Sequence, residues 1–459
     1  MGESIVDVKL NKDREKFSSG IAVFLATLSS AVGLGNIWMF PYVTGENGGA
    51  AFIITYLICI FLIGLPVLLI EFSMGRGKRK NIYGVISSFT DKKIFKSIGF
   101  IGIIATCFIL FFYTVVAGWV YSYIFKAIKG IFTGMSASEV SNIFAQTSGS
   151  ATASLTWQLV AVVVTCGILM FGVKSGIEKL TKTLMPVLIG LLIICAIRSL
   201  MLPGAMEGVS FLLKPDFSKI NIGVIISAMG LAFFKLCVGT GTMITYSSYY
   251  TDDNNLPATG TKVVLADTGV SLLAGLAIFP AVFSFGLEAT SGPGLLFKTV
   301  PLIFAGMPGG NILLILFFAL TAMAATMAMI SLFEVLTAAL IEQFKISRKK
   351  AQVINIIIVM LFGALAALSA SPDSVLAGIK LFGYSIFDFY DKSVSMVMLP
   401  INGILISIFA GYFIKKKYFV DQLTNNGTLN NKKLVDVILF TSKYITPILI
   451  LIVFIGSFI

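Results

Sequence analysis

Runs of apolar residues long enough to cross a membrane recur along almost the whole of this chain. A spanning helix needs about 20 apolar residues at a rise of about 1.5 Å each. On that measure the sequence predicts eleven spans, at approximately residues 18–42, 49–75, 97–128, 155–173, 178–200, 221–249, 262–287, 310–342, 351–370, 383–413 and 439–458. Hydrophobic residues make up 57% of the chain and charged residues only 12%, which excludes a soluble globular domain. We expect an all-α polytopic membrane protein.

The composition also argues against an enzyme. The chain has no histidine, which excludes zinc sites, haem ligation and general-base catalysis that depend on this residue. No glycine-rich phosphate loop, metal-ligand cluster or nucleophile with a base is evident. The longest polar connections, 129–154 and 199–220, are too short for a catalytic domain. We therefore expect no enzymatic activity and no organic cofactor.

The positive charge of the chain predicts its orientation in the membrane. There are 34 Lys and Arg residues against 22 Asp and Glu, a net charge of +12. Cytoplasmic loops collect Lys and Arg, and these residues concentrate in alternate connections, at 9–16, 76–96, 174–182, 345–350 and 415–433. We predict a multi-pass protein of the plasma (inner) membrane, with the N-terminus in the cytoplasm and the C-terminus outside. The lipid bilayer accounts for the basic balance without nucleic acid, and no cleavable signal is expected.

Two of the predicted spans contain a pair of glycines at matching places. The first span carries Gly33 and Gly35, and the sixth carries Gly239 and Gly241. A broken helix frees backbone groups, which hydrocarbon tolerates only where they line a cavity or bind something. Broken helices in corresponding halves indicate a transporter site near the bilayer midplane. Close packing of helices through small residues is the alternative explanation of each pair.

The stretches SSAVGLGNIWMFPYVTGENGGAAF and LPVLLIEFSMGR resemble the first two helices of the neurotransmitter:sodium symporter family. The resemblance extends to LFGYSIFDFYDKSVSMVMLP in the tenth span and KYITP in the last. It implies two inverted five-helix repeats, with helices 1 and 6 broken, that move amino acids or related amines by alternating access. The implied divisions are a cytoplasmic segment 1–17, repeats at 18–200 and 221–413, an extracellular loop 201–220, and a cytoplasmic loop with an eleventh helix at 414–459.

The resemblance also implies a substrate site at the two breaks. It places the backbone of Ala31, Leu34 and Gly35 around the amino and carboxylate ends of an amino acid, and the Tyr113 hydroxyl on its carboxylate. The other implied substrate positions are Ser30, Ile109, Phe234, Lys235, Cys237, Thr240, Ala328, Met329 and Leu332. Because this lining is mostly apolar, we expect a small, neutral and hydrophobic amino acid. Relatives occur as monomers or homodimers, and both states remain open here.

The first sodium site of the family is altered in this sequence. Ala31 and Asn36 are retained, but Lys235 stands where the family has a threonine and Asp267 where it has an asparagine. An ionisable residue at a helix centre costs about 2.5–3.5 kcal/mol on insertion scales and is normally paired. We hypothesise that the Lys235 ammonium takes the sodium position between Asp267 and the substrate carboxylate. The alternative is that Lys235 extends to the membrane interface.

The second sodium site is altered as well. Its implied positions are Ser29, Val32, Ala324, Met327 and Ala328. The last two replace hydroxyl residues, and neither a thioether nor a methyl group can replace hard oxygen ligands. A register error of one residue would return a hydroxyl, that of Thr326. Sodium coupling is therefore left open, with proton coupling, amino-acid exchange and a non-transporting sensor as alternatives.

Chloride dependence is not expected. Ser271 falls where chloride-dependent members of the family use a serine, but Asp267 already supplies a negative charge nearby.

The resemblance further implies gates on both sides. Outside, Asp391 matches the acidic half of an ion pair whose arginine position is Met39. Phe234 and Tyr113 are the other implied gate positions. On the cytoplasmic side, Arg14 and Glu342 match an ion pair. Ordinary anchoring at the membrane interface is the alternative role for these charges.

Overall fold

A computed structural model describes residues 14–287, 294–307, 309–372 and 374–458. Within these residues, nine helices are long and apolar enough to cross a membrane, and a bent helix pair adds a tenth span. A further span consists of two shorter helices. In chain order, spans 1 to 11 are Gly20–Ala31 with Gly35–Glu46, Ala50–Lys78, Lys93–Ile128, Ala151–Leu169, Val173–Leu200, Ile222–Lys235 with Thr242–Ser247, Leu256–Ser284, Gly310–Phe344, Arg348–Ser369, Ile386–Phe413 and Lys432–Gly456.

The predicted all-α membrane fold is confirmed, and the spans differ from the prediction mainly at their ends. Span 7 begins at Leu256 rather than 262, and span 11 at Lys432 rather than 439. Helical hydrogen bonds do not require apolar side chains, so a helix continues into the polar region where its apolar run has ended. At span 7 the Asn255 side chain caps the helix by accepting from the backbone N–H of Ala258 at 3.0 Å.

The connections contain short elements of their own. Helices Ala137–Gly149 and Ala205–Leu213 lie in the two longest predicted outer loops, and Leu295–Ala305 lies between spans 7 and 8. A two-stranded antiparallel hairpin, Lys380–Leu381 with Tyr384–Ser385, precedes span 10. On the opposite face, helix Lys416–Leu423 lies between spans 10 and 11.

Span 3 is the central packing element, in contact with spans 4, 8 and 9. At Gly118 the contact with span 4 is so close that an added Cβ would lie 2.7 Å from the backbone nitrogen of Gln158. The Gln158 side chain donates to the Thr114 hydroxyl at 3.0 Å, one turn along span 3. Helices in lipid associate through such close approach of small residues and through interhelical hydrogen bonds.

Span 1 bends by 58° between its two helices. The first helix ends where Val32 is extended, with φ −80° and ψ 109°.

The break in span 6 covers residues 236–241. Gly239 and Gly241 have φ values of 85° and 84°, which L side chains rarely adopt. The freed groups of Gly239 are satisfied by neighbouring spans. Its N–H donates to Glu71 Oε1 at 2.6 Å, and its carbonyl accepts from Asn402 Nδ2 at 2.5 Å. Spans 2 and 10 therefore hold the break from both sides.

Candidate functional site

The break in span 1 lies against spans 3 and 8. The backbone N–H of Leu34 donates to the Tyr113 hydroxyl at 3.0 Å. A Cβ added at Gly33 would lie 2.9 Å from both the Tyr113 hydroxyl oxygen and the Ala328 Cβ. Three of the predicted substrate positions, Leu34, Tyr113 and Ala328, thus meet at one place.

The two breaks face each other. The Cys237 thiol of span 6 lies 3.5 Å from the Ser30 carbonyl oxygen of span 1. The Ser30 hydroxyl in turn donates to the Thr27 carbonyl at 2.7 Å and lies 3.8 Å from the Met243 sulfur. The structure therefore brings the predicted positions of spans 1 and 6 together around one small region.

The remaining predicted substrate positions are largely buried in the bundle. Ile109, Met329 and Leu332 are buried apolar side chains of spans 3 and 8. The Thr240 hydroxyl donates to the Cys237 carbonyl at 2.6 Å, within the break itself. Phe234 borders a small cleft against Ser395 and Leu399 of span 10. Among the described residues no ring contact joins Phe234 to Tyr113, the two other predicted gate positions.

Lys235, at the predicted first ion position, is fully enclosed. Its Nζ lies 2.8 Å from Asp267 Oδ2, and neither side chain is exposed at all. The ammonium also donates to the Ser271 hydroxyl. Its remaining side faces the rings of Phe40 and Tyr56, at 4.8 and 5.4 Å from the ring centroids. The alternative that Lys235 extends to the membrane interface is wrong, because its charge is paired inside the bundle and stacked on aromatic faces.

Asn36 connects this charge pair to the break in span 1. Its Nδ2 donates to Asp267 Oδ1 at 2.6 Å and to the Ser271 hydroxyl at 3.0 Å. Its Oδ1 accepts from the backbone N–H of Gly33 at 3.1 Å. Because Gly33 adjoins Leu34, which donates to Tyr113, the charge pair is linked to the predicted carboxylate position by a short chain of hydrogen bonds.

The side chains at the predicted second ion position offer few oxygen ligands. The Ser29 hydroxyl is engaged within its own helix, donating to the Ala26 carbonyl at 2.7 Å. Met327 and Ala328 are buried, with Ala328 facing the span 1 break at Gly33. These side chains do not fit sodium, because a thioether and a methyl group present no hard oxygen.

Thr326 does not repair the second ion position. Its hydroxyl lies 2.7 Å from the Tyr121 hydroxyl of span 3 and donates to the Ala322 carbonyl at 2.7 Å. Residues two apart on a helix point about 200° apart, so the side of span 8 that carries Thr326 is not the side that carries Ala328. A register error of one residue would therefore not place this hydroxyl against span 1.

Arg14 and Glu342 form the predicted inner ion pair. Arg14 Nε also donates to the Ser248 hydroxyl at 2.9 Å, and the guanidinium lies 4.8 Å over the Tyr249 ring. Burial acts to lower the pKa of Arg14, but Glu342, Tyr249 and Glu334 together act more strongly in the opposite direction, and the pKa is raised. Phe17 lies next to this ion pair, and its backbone N–H donates to the Tyr249 carbonyl at 3.1 Å.

Two sets of contacts beside the inner ion pair were not predicted from the sequence. Asn81 donates to Glu342 Oε2 from its backbone at 2.9 Å and from its side chain at 2.7 Å. Arg348 donates to both oxygens of Glu334 at 2.7 and 2.8 Å, and the Tyr249 hydroxyl donates to the same carboxylate at 2.5 Å. In the sequence, Asn81 is an isolated polar residue and Arg348 is one of several neighbouring basic residues, so no pattern distinguishes either of them.

The outer gate positions are not joined by an ion pair in the part of the chain that the structure describes. Met39 is half-buried and carries no charge. The Asp391 carbonyl accepts from the Ser395 hydroxyl at 2.8 Å, within span 10. The charged interactions of the two gates are thus concentrated on the predicted cytoplasmic side.

Comparison with known proteins gives consistent similarities over nearly the whole chain. A family model described as the sodium:neurotransmitter symporter family matches residues 14–146 and 137–459. The protein named uncharacterized sodium-dependent transporter YhdH of Bacillus subtilis is 37% identical over 96% of this chain and 97% of its own. An uncharacterized sodium-dependent transporter of Haemophilus influenzae is 34% identical over 97% of this chain and 99% of its own.

A solved structure extends the similarity to three dimensions. The crystal structure of MhsT in complex with L-phenylalanine superposes with a TM-score of 0.88 at 40% identity. The match covers 97% of this chain and 100% of that one.

Proposed function

This chain belongs to the sodium:neurotransmitter symporter family, and on that premise we propose that it transports a neutral, hydrophobic amino acid by alternating access, with the Lys235 ammonium in place of the first sodium ion. The observation that carries the proposal is the fully buried Lys235–Asp267 pair at 2.8 Å, linked through Asn36 to the break in span 1.

The substrate class is supported by the lining and by the solved neighbour. Buried apolar side chains, among them Ile109, Met329 and Leu332, occupy the predicted side-chain positions. The breaks supply polar backbone groups for the two charged ends, since helix N-termini favour a carboxylate and freed carbonyls an ammonium. The neighbouring structure is a complex with L-phenylalanine, an amino acid of this class.

The role of Lys235 is supported by charge. A sodium ion beside Asp267 would add one positive charge, and the ammonium supplies the same charge at the same carboxylate. Two like charges about 4 Å apart repel by roughly 4 kcal/mol at an effective dielectric constant of about 20. A sodium ion is therefore not expected at this position while Lys235 is protonated.

A sodium-dependent symporter with rebuilt ligands is the second candidate. It is favoured by the names of the two bacterial relatives, both called sodium-dependent transporters. A non-transporting amino-acid sensor is a third, and it would bind substrate without flux. Chloride dependence is not proposed, because Ser271 already contacts the ammonium and Asn36 beside the Asp267 carboxylate.

Thermal stabilisation of the purified protein tests the proposal. The twenty amino acids are compared in sodium and in choline at equal ionic strength, because a ligand that binds the folded state raises the melting temperature. We expect an apolar amino acid to stabilise equally in both salts and to be taken up by proteoliposomes. Stabilisation only in sodium would favour the second candidate, and binding without uptake would favour the sensor.

The pH dependence of uptake tests whether protons drive transport. If the Lys235–Asp267 pair carries a proton, uptake in wild type and in Lys235→Met will depend differently on pH between about 5.5 and about 8. Equal profiles would exclude the pair as the proton carrier and leave exchange of one amino acid for another.

We also propose that the N-terminus faces the cytoplasm and the C-terminus the outside, as the distribution of Lys and Arg predicts. Labelling of single introduced cysteines in intact cells tests this orientation. The chain functions as a monomer or a homodimer, which light scattering of the detergent complex will distinguish.

A further inference from the structure

A groove of about 570 Å³ opens beside the ends of spans 10 and 11 and helix Lys416–Leu423. Its wall is apolar where Ile70, Ala410 and Phe419 line it. None of its lining residues belongs to the predicted substrate or ion positions. The groove therefore has no role in the transport site described above.

The segment around this groove is strongly basic. Residues 415–443 contain six lysines and two aspartates. The aspartates are paired, Asp436 with Lys416 at 2.6 Å and Asp421 with Lys417 at 3.2 Å. The groove itself is lined by Lys416, Asp436 and Lys443, so one positive charge is in excess there, and Coulomb attraction would draw an anion to it.

Lys443 places one of these charges in the groove itself. Its Nζ lies 4.4 Å from the ring centroid of Tyr412 and 5.3 Å from that of Tyr444. Within the described residues it makes no ion pair. Aromatic faces attract an ammonium less strongly than a carboxylate or phosphate does when it is hydrogen-bonded. The groove therefore offers a cation that lacks an anionic partner in the described chain.

A second observation points to an occupant. Ser442 lines the groove and is only 2% exposed, and its hydroxyl has no hydrogen-bond partner among the described residues. A buried hydroxyl without a hydrogen-bond partner is unfavourable, and an acceptor oxygen in the groove would satisfy it. The half-exposed rings of Phe440 and Tyr444 line the groove, and the Tyr412 ring lies beside the Lys443 ammonium. Aromatic belts of this kind mark the level of the lipid headgroups.

We propose that this groove binds one anionic phospholipid. The headgroup phosphate accepts from the Lys443 ammonium and the Ser442 hydroxyl, and an acyl chain follows Ile70, Ala410 and Phe419. Basic pockets between spans on the cytoplasmic side bind anionic headgroups by this chemistry. A zwitterionic lipid would bring its own cation to a rim that is already positive, which disfavours it.

The test is native mass spectrometry of the purified protein with phosphatidylglycerol or phosphatidylcholine added in equal amounts. We expect one phosphatidylglycerol molecule to be retained in preference to phosphatidylcholine. Lys443→Gln should weaken that retention about fivefold, since a lysine near an anionic lipid contributes about 1 kcal/mol. Lys443→Arg should restore it. Lys349→Gln, which removes an exposed lysine from the start of span 9, is the matched control and should change nothing.

Several outcomes would overturn the proposal. Equal retention of the two lipids by the wild type would show that the groove does not select for headgroup charge. This outcome does not depend on the folding of any variant. Undiminished retention by Lys443→Gln would place the lipid elsewhere. Displacement of the lipid by inorganic phosphate at the lipid's own concentration would identify a site for free anions instead.

Discussion

Removal of the Lys235 charge is the sharpest test of the buried pair. Lys235→Met fills a similar volume but leaves Asp267 buried without its cation. Breaking such a pair from one side costs about 3–5 kcal/mol. Asp267 would keep its hydrogen bond from Asn36 at 2.6 Å, so we expect a loss near the lower end of that range.

The assay is thermal unfolding in detergent, followed by a thiol-reactive or intrinsic-fluorescence readout. At an unfolding entropy of about 2.1 cal/mol/K per residue, a loss of about 3 kcal/mol in a chain of 459 residues corresponds to a fall in melting temperature of roughly 3 °C. The double variant Lys235→Met/Asp267→Asn removes both charges and should recover most of the loss. Lys380→Met, at an exposed position of the outer hairpin, is the control. Unchanged melting of Lys235→Met, or a double variant no more stable than the single one, would refute the reasoning.

Three further predictions follow from the site. Lys235→Thr restores the residue that the family has at this position. We expect it to make thermal stabilisation by an amino acid depend on sodium, which melting in sodium and in choline measures. Tyr113→Phe removes the hydroxyl that lies 3.0 Å from the Leu34 nitrogen, and it should weaken amino-acid binding about tenfold with little change in melting, as measured by equilibrium binding of labelled substrate; an affinity equal to the wild type's would remove Tyr113 from the site. Arg14→Ala breaks the pair with Glu342, and it should increase the labelling rate of a cysteine introduced at Ser248, since Arg14 covers that hydroxyl at 2.9 Å; an unchanged rate would mean that the pair does not close the inner path.

The spans and their breaks were predictable because they rest on local pattern. Apolar runs of sufficient length must be helical in lipid, and paired glycines predicted the breaks where Gly239 and Gly241 adopt positive φ. The pairing of Lys235 with Asp267 was hypothesised because an ionisable residue at mid-span requires a partner.

Other features depend on how distant spans pack and were not predicted. The enclosure of the ammonium by Phe40 and Tyr56 requires spans 1, 2 and 6 to meet at one level. The bond from Asn81 to Glu342 joins residues far apart in the chain. The ends of spans 7 and 11 were missed because helical hydrogen bonding continues beyond the apolar run.

The covalent attachment of the Lys235 ammonium to span 6 bears on the concentration ratio of substrate that a carrier of this kind could maintain across the membrane. A dissociable ion enters on one side and leaves on the other, and each unit charge that crosses contributes about 2.3 kcal/mol per 100 mV of membrane potential. A tethered charge returns with the empty carrier, so over a full cycle it moves nothing. If Lys235 replaces one sodium ion, as proposed, the attainable ratio of inner to outer substrate is lower by roughly fiftyfold at about 100 mV, before the lost sodium gradient is counted. Under that proposal, the carrier would be suited to equilibrating or exchanging amino acids between two compartments rather than to scavenging them from dilute surroundings.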